Sequence, residues 1–220
     1  MSKPSFTKAT FILLYGFPGS GKTFFARQLS ESLGAAHVHG DRIRSELFEE
    51  PRYDARENEV VSHLMEYMAE EFLNAGISVV YDMNAMRLSQ RRALRDMARK
   101  HKAEPLLVWL QIDMDSSFGR VVKRDRRKAD DRFSAPLDQK SFEHIVGRMQ
   151  NPNQAEEYVV ISGKHTFNTQ QHMVLKKMYD AGLINMLSSD SKIAKPELVN
   201  KIPNPLAGRV DPSRRNIIIR

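Results

Sequence analysis

The chain has 220 residues, 41% of them hydrophobic and 28% charged, a balance that supports a packed core and excludes an intrinsically disordered chain. It contains no cysteine, which rules out disulfide scaffolds, thiolate metal sites and cysteine nucleophiles. Its formal net charge of +7 points to an anionic partner such as a nucleotide, a nucleic acid or an acidic surface.

The segment Thr10–Tyr15 is a short apolar run ending at a glycine, the pattern of a strand buried on both faces. A glycine-rich loop then leads into a helix that runs to about Leu33. Phe25, Leu29 and Leu33 fall at i, i+4 and i+8 on it, and Gly34 stands at the C-cap position. Residues 37–39 are a brief strand that ends at Asp41. Over residues 56–73, Val60, Leu64, Met68 and Phe72 recur every four positions and define an amphipathic helix, with Val61 and Met65 beside them. Residues 78–81 read as a strand closed by Asp82, and Ser89 is placed to cap a helix carrying Leu94, Met97 and Ala98 inward. Residues 106–112 form another buried strand that contains the single tryptophan, Trp109, as a core residue. A helix then continues into the charged stretch 120–128. Asp138 caps a further helix with Phe142, Ile145, Val146 and Met149 on one stripe. A fifth strand at 158–161 and a last helix at about 169–179 complete the series. Strands alternating with helices in this way predict a parallel sheet covered by helices on both faces.

After Leu187 the periodicity fails. Residues 188–220 carry four prolines, which makes them an extended arm on a domain of residues 1–187, with 216–219 available as an edge strand. The charge is concentrated in two places. Residues 116–132 hold seven cations against three acids, and residues 188–220 hold another seven against three. No apolar run approaches the ~20 residues that span a bilayer. The polar start, residues 1–8, lacks the apolar stretch of a signal peptide, so the expected location is cytoplasmic, with no membrane partner.

The most specific signal is Gly16-Phe17-Pro18-Gly19-Ser20-Gly21-Lys22-Thr23, which satisfies G-x-x-x-x-G-K-[ST] in full. Backbone N–H groups of such a loop point inward around a phosphate, and the helix that follows adds its N-terminal amides and dipole. In that chemistry Lys22 reaches the β- and γ-phosphates and the Thr23 hydroxyl ligates Mg²⁺. The motif lies between a buried strand and a helix, the context it requires, so a nucleoside triphosphate is the implied ligand.

Other polar positions stand where strands end. The run 79–81 followed by Asp82 has the form of a strand whose carboxylate orients Mg²⁺, although a turn or cap aspartate has the same pattern. Asp41 and Arg44 lie one helical turn apart, which suits a base and an anion-binding cation, or equally an exposed ion pair. Arg120, Arg124 and Arg127 follow i, i+4, i+7 on an expected helix and would form a lid over a phosphoryl group. A surface facing nucleic acid or solvent remains the other reading of that stripe. The seven histidines show no metal-ligand spacing; His37 and His39 share a strand face and read as packing residues or as support behind a site. The eleven methionines read mainly as core.

On these residues the chain resembles the P-loop kinases of the zeta-toxin and polynucleotide-kinase type, over about residues 9–187. The resemblance is carried by Gly16 to Thr23, Asp41-x-x-Arg44, Asp82-x-Asn84 and the arginine lid. Such chains are also described as AAA ATPase-like. The resemblance implies a P-loop NTPase fold, three layers α/β/α with a five-stranded parallel sheet in the order 2-3-1-4-5 and an arginine-rich lid. It implies that Asp41 is the base toward an acceptor hydroxyl, that Arg44 holds an acceptor phosphate, and that Asn84 belongs to the same substrate side. Lid arginines, here Arg124 and Arg127, would contact the donor phosphates, and Arg120 with the loop that begins at Gly163 would meet the nucleotide, the loop lying against adenine. Gly16, Gly19, Ser20, Gly21, Lys22 and Thr23 would hold the phosphates, and Thr23 and Asp82 the metal. ATP and Mg²⁺ are the implied cofactors. The lid has more arginines than the pattern needs, and the tail has no counterpart.

The expected activity is therefore transfer of the ATP γ-phosphate to a hydroxyl of a small molecule, a nucleotide or a polynucleotide 5′-end. The alternative is a nucleotide-dependent regulatory ATPase that grips RNA or DNA through lid and tail. Met83, not glutamate, follows Asp82, which favours transfer over the water activation of motor ATPases. No N-K-x-D run is present to read guanine.

Overall fold

The computed structural model describes residues 4–127, 131–135 and 137–185. In chain order the elements are β1 (Ser5–Phe6), β2 (Thr10–Tyr15), α1 (Lys22–Leu33), β3 (Ala36–His39), α2 (Gly40–Leu47), α3 (Ala55–Asn74) and β4 (Val79–Asn84). They continue with α4 (Leu88–Lys100), β5 (Glu104–Gln111), α5 (Met114–Val122), α6 (Gln139–Gly147), β6 (Tyr158–Ser162), α7 (Phe167–Asp180) and β7 (Ile184–Asn185).

Five strands form one parallel sheet in the order β3-β4-β2-β5-β6. Counted among these five alone the order is 2-3-1-4-5, as the resemblance implied. The winding reverses at β2, and in sheets of this kind ligands bind beyond the carboxyl ends of the strands at such a reversal. A separate antiparallel pair, β1 with β7, joins Phe6 to Ile184. Two residues per strand are too few for a period to register in the sequence, and this pair was not expected.

Alternation along β2 divides the core. Ile12 and Leu14 face α1 and α7 with Val80, Val108, Phe25, Leu29, Val174 and Met178. Phe11, Leu13 and Tyr15 face the other way and pack with Val61, Met65, Tyr81, Leu94 and Ala98 of α3, β4 and α4. The three-layer α/β/α architecture follows from this two-sided burial. Among the described residues no helix is long and apolar enough to cross a membrane.

Several local expectations shift. The buried stripe of α3 is Val61, Met65, Ala69 and Leu73, one residue along from the expected set, while Val60 is exposed. Both sets repeat every four residues, so only the docking against the sheet separates them. Asp54 caps this helix by accepting from Glu57 N–H at 2.9 Å. Ser89 does not cap α4: the N-cap position is Arg87, and Ser89 lies inside the first turn. Asp138 does cap α6, accepting from Ser141 N–H at 2.8 Å, but of its expected stripe only Phe142 is fully buried. Trp109 is half-buried rather than core, meeting Tyr15 and Tyr158 edge-on. The arm 188–220, and with it the edge strand at 216–219, lies outside the described residues.

Candidate active site

The phosphate loop leaves β2 and enters α1 at Lys22. Gly19 and Gly21 carry it through left-handed conformations, φ 85° and 97°. A Cβ at Gly19 would run into the Ser117 carbonyl of α5, and Ser117 Oγ in turn donates to the Pro18 carbonyl at 2.6 Å. A Cβ at Gly21 would meet nothing within 4 Å, so this is the open side of the loop. Gly16 lies against the Leu110 carbonyl of β5. Ser20 Oγ is buried without a hydrogen-bond partner and lies beside Gly16, a polar group left for an incoming ligand or solvent to satisfy.

Lys22 folds back over this loop. Its Nζ donates to the carbonyls of Gly16 at 2.9 Å and Phe17 at 2.8 Å. Burial lowers its pKa to about 8, against the pull of Asp82 and Asp41. Thr23 Oγ1 donates to Asp82 Oδ1 at 3.4 Å. Asp82 is buried on β4, not at the end of it, because the strand continues to Asn84. The register between β2 and β4 shifts after Leu13, whose partner is Tyr81, whereas Leu14 pairs with Asn84. Asp82 and Met83 thus fall in the irregular stretch, which frees the carboxylate to turn toward α1. On its other side Asp82 Oδ2 lies 3.1 Å from His37 Nε2 and 3.7 Å from His39 Nε2. Burial lowers the His39 pKa, with Asp82 opposing.

The strand β3 ends at His39, and Asp41 sits in the first turn of α2. Burial raises the pKa of its carboxyl, and His39, Arg44 and Arg124 act in the opposite sense. Arg44 is 3% exposed and does not pair with Asp41. Its Nη1 donates to Glu57 Oε2 at 3.1 Å and its Nη2 to Asn58 Oδ1 at 2.6 Å, with the Tyr53 ring centroid 4.9 Å from the guanidinium. Its Nε is buried and unpartnered, as is Asn84 Oδ1 at the end of β4.

The lid differs from the expected stripe. Helix α5 ends at Val122, so Arg124 and Arg127 lie beyond it and share no helical face with Arg120. The reason is local: the Asp125 carboxylate accepts from Arg127 N–H at 3.1 Å, and Asp131 accepts from Asp125 N–H at 3.2 Å, side-chain bonds that compete with helix continuation. Arg120 Nη1 donates to the Gly163 carbonyl at 2.9 Å, joining the lid helix to the loop after β6. Arg124 is held by the Ala135 carbonyl at 3.3 Å and lies within electrostatic reach of Lys22 and Asp41. Arg127 pairs with Asp125 at 2.9 Å and is 91% exposed. A cavity of about 550 Å³ opens beside the loop, lined by Tyr15, Phe17, Trp109, Asn151 and Lys164 among others.

Lys22, Thr23, Asp41, Asp82 and Arg124 are thus gathered at the carboxyl ends of β2, β3 and β4; Arg44 and Asn84 stand beside them, and Arg127 stands apart. His37 and His39 belong to the same cluster. Their alternation on a strand ending next to Asp41 was a usable signal, but it needed Asp82 as a partner to acquire meaning. Asn58 and Glu57, which hold Arg44, carried no signal in the sequence.

The phosphate loop and the sheet order define a P-loop NTPase fold of three α/β/α layers. A family model described as an AAA domain (AAA_33) matches residues 11–152, and the chain belongs to that family. Among solved structures, a putative kinase from Chloroflexus aurantiacus is similar at 14% identity and a TM-score of 0.63, over 79% of this chain and 97% of that one. Kti12 from Chaetomium thermophilum, in complex with ADP-AlF3, is similar at 19% identity and a TM-score of 0.61, over 78% and 98%. The APS kinase CysC from Mycobacterium tuberculosis, in complex with AMPPNP and APS, is similar at 15% identity and a TM-score of 0.59, over 78% and 98%. At these identities the likeness is one of fold. No curated protein matches.

Proposed function

We propose that the chain is an ATP-dependent phosphotransferase that moves the γ-phosphate to an acceptor hydroxyl. The observation that carries this reading is Asp41: a half-buried carboxylate whose pKa is raised by desolvation, set among the cations Lys22 and Arg124 beside the phosphate loop. A base works best when its pKa lies near the working pH, and burial moves Asp41 in that direction. In the proposed step the acceptor oxygen bonds to the γ-phosphorus, the bond to the β,γ-bridging oxygen breaks, and Asp41 takes the hydroxyl proton, leaving ADP. Lys22 and Arg124 neutralise the charge that spreads over the transferring group.

The residues present fit ATP and Mg²⁺. The unsatisfied Ser20 hydroxyl and the open side at Gly21 accommodate phosphate oxygens, and Thr23 with Asp82 offers the hydroxyl and carboxylate oxygens that Mg²⁺ takes. When bound, Mg²⁺ supplies Lewis-acid polarisation of the phosphates. Arg120 and the Gly163 loop would receive the base, while Arg44 Nε and Asn84 would face the acceptor. The lid arginines are held by protein partners rather than spread as a bare basic stripe, which favours transfer over gripping a nucleic acid.

The test is a labelled-ATP screen over nucleosides, sugars and oligonucleotide 5′-ends, run with the native chain and Asp41→Asn. A labelled acceptor, reduced about 10²–10⁴-fold in the variant, is expected. Release of free phosphate with no acceptor labelled overturns the reading.

A further inference from the structure

His37 and His39 project from one face of β3, as residues two apart on a strand must. Their rings stack with centroids 5.3 Å apart and planes within 4°. Both direct Nε2 at the same oxygen, Asp82 Oδ2, at 3.1 and 3.7 Å. The other oxygen, Oδ1, faces Thr23 at 3.4 Å. One buried carboxylate is therefore shared between two donor sets, a hydroxyl on one side and two imidazoles on the other.

The three groups each offer a ligand atom, and these atoms lie within 4.8 Å of one another. A tetrahedral centre with bonds of about 2.0–2.1 Å holds its ligand atoms about 3.3 Å apart. The two nitrogen–oxygen separations bracket that spacing and the two nitrogens lie within 4.8 Å of each other, so side-chain rotations that draw the imidazoles together would close the set. Asp82 is buried and the histidines are half-buried, which leaves an approach for an ion.

We propose that His37, His39 and Asp82 form a binding site for a divalent transition cation of the Zn²⁺, Co²⁺ and Ni²⁺ class, separate from the Thr23 side of Asp82. Imidazole nitrogens favour these borderline ions over Mg²⁺, which takes oxygen ligands. Three protein ligands leave a further position for water or a ligand oxygen, the arrangement of an open rather than a closed structural site. The site stands on these three side chains alone and does not depend on the phosphotransfer reading.

The test uses the full chain, stripped with a chelator and titrated with Co²⁺ in excess Mg²⁺, followed by calorimetry and visible absorption. One Co²⁺ per chain is expected, weakened about tenfold or more in each of His37→Gln and His39→Gln. Lys22→Ala, which leaves all three ligands in place and removes a positive charge that interacts with Asp82, should bind Co²⁺ at least as tightly as the native chain does; ATP binding measured on the same samples reports separately on the nucleotide site. X-ray absorption of the native cobalt complex needs no variant and should show two imidazole ligands. No saturable uptake in Mg²⁺, uptake as tight as the native chain's in either histidine variant, or fewer than two bound imidazoles overturns the proposal.

Discussion

Arg91 and Glu156 form a two-pronged ion pair inside the protein, Nε to Oε1 at 2.8 Å and Nη2 to Oε2 at 2.9 Å, with both side chains at most 1% exposed. Nη1 also donates to the Ala85 carbonyl at 2.9 Å, and the guanidinium lies 4.9 Å from the Tyr15 ring centroid. The pair thus ties α4 and the segment before β6 to the strand that feeds the phosphate loop. Removing one partner strands the other charge, so Glu156→Ala should cost about 3–5 kcal/mol in urea unfolding, whereas Arg91→Met with Glu156→Leu should recover most of it. Burial pushes the Glu156 pKa up, but the Arg91 hydrogen bonds and charge outweigh it and leave it below the usual range. Its stabilising contribution is therefore present above the ordinary value of 4.5 and is lost as pH falls through the lower folded value.

Lys22 supplies a second pH dependence, of opposite origin. Its folded pKa of about 8 lies below the ordinary 10.5, so between those values the unfolded chain binds more protons and stability rises with pH. A polyphosphate favours the charged ammonium. ATP affinity should then fall by up to about tenfold per pH unit above pH 8, with proton uptake on binding at pH 9. Calorimetry in two buffers of different ionisation enthalpy measures that uptake, and Lys22→Arg, whose guanidinium stays charged, should abolish it.

Gly19 and Gly21 should respond differently to alanine. At Gly19 the methyl meets the Ser117 carbonyl and Val121, so the loop must move off α5 and ATP binding should be lost together with a drop in Tm. At Gly21 the space is empty, and only the backbone conformation at φ 97° is strained, at about 1–3 kcal/mol. Gly21→Ala should therefore stay folded while losing ATP affinity. Native ATP affinity in Gly19→Ala would remove the loop–lid contact from the account.

Arg124 and Arg127 are three residues apart and differ in surroundings. Arg124→Ala should slow transfer by about 10²–10³-fold if it neutralises the transferring group. Arg127→Ala, whose side chain pairs outward with Asp125, should change the rate by less than about threefold, in keeping with the small worth of exposed ion pairs. Single-turnover measurements at saturating ATP compare the two directly.

The chain-local features of this protein were legible in its residues. The phosphate loop is a contiguous run whose chemistry is set by spacing, and the αβ alternation and the Asp138 cap likewise depend on neighbours within a few positions. Features that needed distant contacts were not. The choice between two equally periodic stripes on α3 depends on how that helix docks against the sheet.

The amino-acid sequence by itself determined that a phosphate loop follows a central strand, and that Lys22 and Thr23 stand at the start of the next helix. Only the tertiary structure decided what surrounds them. Parallel pairing of β3 with β4 places His39 beside Asp82, and the register shift against β2 turns that carboxylate toward Thr23. Arg44 is drawn to Glu57, thirteen residues away, and away from Asp41 on its own helix. The physical reason is that a strand register or a helix docking face is settled by the summed burial of many side chains, and no short window of sequence contains that sum.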